Sequence, residues 1–153
     1  MSRYTWLLDP GHGGIIDGVY QTAGKRSPAF PDGSVLYEGE FNRDVVRRIM
    51  NLCNGLKSDG TPFTRAENVA AERHAAEGPK IIDAIDLVDS LEDIPLHTRV
   101  TKANNLHREK DNCIYVSVHA NAFGNGRDFN SAKGVCTFHH YRSSNGQRLA
   151  ESL

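Results

Sequence analysis

The stretch Trp6-Leu7-Leu8-Asp9-Pro10-Gly11-His12-Gly13-Gly14 decides the fold. An apolar run closes at Asp9-Pro10 and hands His12 to a loop of glycines. Short apolar runs punctuated by Pro and Gly read as buried strands of an α/β sheet. Sheets of that kind place their chemistry just beyond the carboxyl ends of their strands, where His12 would stand. Glycines on both sides remove Cβ bulk, so backbone, metal or substrate can approach the imidazole.

Far downstream, Cys113-Ile114-Tyr115-Val116-Ser117-Val118-His119-Ala120-Asn121 repeats the arrangement: an apolar and β-branched run, a histidine at its exit, then small and polar residues. Two histidines leaving two strand ends can converge on one point, and neutral imidazole is the commonest zinc ligand. A catalytic zinc takes three protein ligands and keeps a fourth position open. Tyr37-Glu38-Gly39-Glu40-Phe41-Asn42 offers two carboxylates for the third place. Phe41, Val45, Ile49, Leu52 and Leu56 recur at three- and four-residue steps and predict the buried face of a helix over 38–57, stopped by Ser58-Asp59-Gly60. Glu38 precedes Val45 by seven residues, about two turns of 3.6 residues, and shares its face; Glu40 precedes it by five and is rotated about 140° away. Glu38 is therefore expected inside as the ligand. Glu40 is expected in solvent, where an acid in a first turn favours the helix dipole.

Taken together, these pieces point to a family. Asp9-Pro10-Gly11-His12-Gly13-Gly14, Glu38 with Asn42, Thr64-Arg65, Arg99 with Ala103-Asn104, and Ser117-Val118-His119-Ala120-Asn121-Ala122 stand in the order seen in one family. The chain resembles the zinc-dependent N-acetylmuramoyl-L-alanine amidases of the amidase-3 type, from the first strand to Gly134. The resemblance implies that His12, Glu38 and His119 hold Zn2+ and that Asn121 meets the substrate. It implies bacterial peptidoglycan as that substrate, cut at the amide between N-acetylmuramic acid and L-alanine. It also implies a catalytic glutamate on a strand after the helix that begins around Gln147, beyond Leu153. The catalytic acid or base is thus unassigned, and the expectation is a truncated catalytic domain with weak or no hydrolysis. Two rivals stand beside this reading: a non-catalytic peptidoglycan-binding module, and a zinc peptidase acting on wall peptides.

The rest of the chain bounds the picture. Its 153 residues suit one α/β domain, a twisted, mostly parallel sheet with helices on both faces. With 18 basic and 19 acidic residues the net charge is −1, which gives no electrostatic footprint for nucleic acid. No apolar stretch is long enough to span a membrane. Met1-Ser2-Arg3 runs straight into the first strand without a secretory leader, which suits a mature chain or one released from the cytoplasm like a phage endolysin to act on the cell wall.

Cys53, Cys113 and Cys136 show no Cys-x-x-Cys spacing and read as buried structural residues. Residues 21–34 read as a long surface loop forming a wall of the cleft, and 61–64 as a strand beside the first. Residues 67–92 read as a helical insertion. A helix over 96–110 presents Val100, Ala103 and Leu106 inward, with Arg99 and Asn104 tying it to the sheet. Residues 134–141 read as a further strand with His139 and His140 on opposite faces, followed by a helix capped through Ser144-Asn145.

Overall fold

The first strand, β1 (Thr5–Pro10), lies at the centre of a three-stranded parallel sheet. The computed structural model describes residues 4–63, 82–122 and 126–152. Strand β4 (Ala84–Asp86) pairs with one edge of β1, Leu7 opposite Ile85, and β5 (Cys113–Val118) with the other, Pro10 opposite Val118. Between β1 and the first helix, Ile15–Ile16 (β2) and Val19–Tyr20 (β3) form an antiparallel hairpin. Its turn is Asp17-Gly18, both at positive φ (49° and 78°), the pairing such two-residue turns select.

Three helices are described: α1 (Glu38–Cys53), α2 (Leu96–Lys110) and α3 (Ser144–Ser152). Successive side chains of a strand point to opposite faces. Leu7 packs with Leu87, Val88 and Ala103 of α2, flanked by Ile85, Ile94, Leu106 and Cys113. Leu8 is fully buried on the other face, the side of α1, where Val46 and Cys53 are buried too. The expected α/β architecture, a parallel sheet with helices, is the one observed.

Several elements differ from the sequence expectation. The strand beside β1 is 84–86, inside the segment expected to be a helical insertion. There, Ile85 and Leu87 face an apolar layer that a short strand fills as well as a helix would. Residues 61–63 contribute one isolated bridge, Leu56 with Pro62, rather than a strand, while Thr64 and residues 67–81 of the expected insertion lie outside the described residues. Helix α1 ends a turn earlier than expected, at Cys53, because Gly55 takes φ 72° and Asn54 N–H closes back onto Met50 O. The buried stripe of α1 is Glu38, Asn42, Val46 and Cys53, while Phe41 and Leu52 are exposed. On α2, Ala103 is buried as expected, whereas Val100 is exposed.

Contacts divide the chain into two compact units, residues 1–122 and 123–153. In the second, 134–141 is not a strand. Val135, Phe138 and Tyr141 in it are exposed, so no buried apolar face holds it against a sheet. His139 and His140 are exposed as well, so the expected two-faced placement does not arise. Helix α3 is capped by Ser143, one residue before the expected pair: its Oγ accepts the Gly146 N–H at 2.9 Å. Of the cysteines, Cys53 is buried, Cys113 partly so, and Cys136 exposed, contrary to expectation.

Candidate metal centre

Strand order explains where a site forms. The chain runs from β1 to β4 on one side and then to β5 on the other, so neighbouring connections diverge between β1 and β5. In open α/β sheets, ligands bind beyond the strand ends at that switch point. His12 leaves β1 and His119 leaves β5 there, with Gly11 N–H bonded to Val118 O at 3.0 Å just below.

Glu38 completes the group from the first turn of α1. Its Oε1 lies 3.3 Å from His12 Nε2 and 3.1 Å from His119 Nδ1, and it accepts the Ala120 N–H at 3.2 Å. The two imidazoles meet edge to face, centroids 5.0 Å apart. All three ligand atoms lie within 4.8 Å of one another. Zinc bonds near 2.1 Å in a tetrahedron hold ligand atoms about 3.4 Å apart, so the set fits an ion after small ring rotations. Exposure is graded: the side chains of His12 and Glu38 are 18% and 10% exposed, that of His119 42%. The cluster is therefore mostly covered at His12 and Glu38 and most accessible to solvent at His119.

Backbone geometry serves the same end. His12 sits at φ 67°, a left-handed conformation that costs a non-glycine residue about 1–3 kcal/mol and recurs at functional sites. Gly11 lets the His119 ring lie against the chain: a Cβ there would fall 2.2 Å from the ring carbon Cε1. Gly39 does the same for α1, since its Cβ would fall 1.8 Å from Gly13 O. Burial holds the His12 imidazole below its ordinary value, with Glu38 opposing and His119 reinforcing the shift. The ring is thereby kept in the neutral form a metal ligand needs.

Beneath the loop lies a polar network centred on the buried Asp9 and Arg99, which the sequence did not reveal as such. Asp9 accepts from Arg99 Nη1 at 2.9 Å on one oxygen, and from Ser117 Oγ at 3.1 Å and the Tyr115 hydroxyl on the other. Burial, then the hydrogen bond to Asp9, pushes the Tyr115 phenol up to about 12. Arg99 also donates to Pro10 O and Ile94 O, so the expected tie between helix and sheet is present at Arg99. Asn104 is exposed and makes no such tie among the described residues. Asn42, fully buried, donates to Gly11 O at 2.9 Å, while its Oδ1 meets no donor among the described residues.

Glu40 is exposed, as expected, yet it is not idle: its Oε1 accepts the Ile15 N–H at 2.9 Å and steadies the hairpin. Asn121 is exposed two residues beyond His119. Arg43 is a neighbour of the cluster that the sequence did not single out; its Nη1 donates to His12 O at 2.8 Å. The available signal was its spacing, one turn after Gly39 and next to Asn42.

No family model, curated protein or solved structure matches this chain.

Proposed function

We propose that this chain is a zinc-dependent hydrolase of the bacterial cell wall, directed at the amide between N-acetylmuramic acid and L-alanine of peptidoglycan. The observation that carries the metal is the meeting of His12, Glu38 and His119 within 4.8 Å at the switch point of the sheet. The substrate comes from the motif resemblance, whose three metal-ligand positions are these same residues. A zinc ion bound there would supply Lewis acidity toward water and the scissile carbonyl. The chain's own residues would hold the ion: His12 and Glu38 from the less exposed side of the cluster, and His119 from the more exposed one. Asn121, exposed two residues beyond His119, is the residue we assign to a substrate amide or sugar.

A second reading keeps the cleft and drops the cleavage, leaving a peptidoglycan-binding module. It is favoured by the state of Glu40, the other acid of the first turn of α1, whose Oε1 is committed to the Ile15 N–H rather than turned to the cluster. The test is zinc content together with digestion of purified peptidoglycan. About one zinc per chain and new L-alanine amino termini, lost on chelation and in Glu38→Ala, support the hydrolase. Zinc with wall binding but no new termini supports the module. Mass spectra showing cuts between stem-peptide residues would instead identify a peptidase, and a chain that takes up no zinc contradicts the hydrolase outright.

The described helices include none long and apolar enough to cross a membrane. Action on the cell wall belongs to the same proposal.

A further inference from the structure

We propose that Arg43 is a positioning residue of the metal site, its guanidinium holding the His12 backbone in the conformation that aims the imidazole at Glu38. This rests on the metal-site reading given above. Three successive carbonyls of the His12 loop are each gripped by a different side chain. Arg99 Nη1 takes Pro10 O at 2.9 Å, Asn42 Nδ2 takes Gly11 O at 2.9 Å, and Arg43 Nη1 takes His12 O at 2.8 Å. Of these three residues only His12 has a positive φ, so Arg43 grips the strained one.

The same fork reaches two further segments. Arg43 Nη1 also donates to Gly39 O at 3.1 Å, next to the ligand Glu38, and Nη2 donates to Ser90 O at 2.7 Å. The His12 loop, the first turn of α1 and the loop after β4 are thus held by one planar group. That last loop grips back, since Gly14 N–H donates to Leu91 O at 2.7 Å. Arg47 and Arg48 of the same helix lie exposed and pair with Asp44, which marks Arg43 as different in kind from its neighbours. A lysine could offer a point charge to one carbonyl, but not a rigid fork to carbonyls of separate segments.

The test is titration of the full chain with Co2+, read by its visible absorption bands, in wild type, Arg43→Met, Arg43→Lys and Val46→Ala. Val46 is buried on α1 and is not one of the ligands, so its variant controls for a loosened helix. Wild type is expected to give tetrahedral cobalt bands. Arg43→Met is expected to bind Co2+ about 10- to 100-fold more weakly, the usual cost of losing a group that orients ligands, with shifted bands. Arg43→Lys should lose several-fold, and Val46→Ala should lose thermal stability while keeping the wild-type bands and affinity.

Should Arg43→Met fail to fold, Arg43→Lys decides alone. Wild-type affinity and bands in either folded Arg43 variant overturn the proposal, as does an equal loss of affinity in Val46→Ala. A wild-type chain that binds no cobalt instead overturns the metal site itself, and the positioning role with it.

Discussion

At the residue scale the site depends as much on missing atoms as on the ligands. Gly11→Ala places a methyl group in the space of the His119 ring. It should weaken zinc affinity at least tenfold without removing a ligand, as isothermal titration can measure; unchanged affinity would mean that the ring does not sit against Gly11. His12 gives a pH signature. Its folded value is lowered from 6.5 by burial, so the neutral ring's contribution to stability is full above about pH 6.5. That contribution declines as pH falls from there through the lower folded value. NMR titration of the metal-free chain should place the His12 midpoint below 6.5, and a midpoint above it would contradict the burial. Both histidines and Glu38 were legible in the sequence because each sits where strand exits and a helix start must place it. Glu38 was nevertheless reached through the wrong stripe. The apolar residues Phe41 and Leu52 define a face that is exposed, whereas polar Glu38 and Asn42 lie on the buried one. A buried stripe made partly of polar, functional residues is invisible to a reading that follows hydrophobic periodicity.

At the scale of elements, β1 and α2 are locked by one buried ion pair, to which β5 adds the Tyr115 and Ser117 hydroxyls. Arg99 and Asp9 are both buried and 2.9 Å apart, so removing the cation leaves an uncompensated carboxylate. Arg99→Met should cost about 3–5 kcal/mol in urea unfolding; a loss below about 1 kcal/mol would show that the pair is not desolvated. Gly39→Ala should separate the start of α1 from Gly13 O and cost about 1–3 kcal/mol, with zinc affinity falling in parallel. Wild-type stability and affinity would contradict that docking. Strands β1 and β5, six residues each, were readable from the apolar runs within them, Trp6-Leu7-Leu8 and Cys113 to Val116. Strand β4 was not: three residues within Ile81-Ile82-Asp83-Ala84-Ile85-Asp86-Leu87-Val88 satisfy helical and strand periods alike, and only the sheet edge decides between them. The stretch 134–141 misleads in the opposite sense, rich in strand-forming residues but not a strand.

For the whole molecule, the parallel order β4-β1-β5 turns two distant histidines into neighbours. That order could not be read from the chain, because it depends on which strand takes each side of β1. If His12, Glu38 and His119 meet only in the folded state, metal binding must stabilise folding. Zinc at about a thousand times its dissociation constant should add roughly 4 kcal/mol, and chelation should remove it. A melting temperature indifferent to zinc would disagree. The most direct measurement is anomalous scattering at the zinc edge from a crystal of the chain grown with zinc. A single peak bonded to His12, Glu38 and His119 is the predicted result. A chain that holds no zinc there, or holds it through other residues, would contradict it.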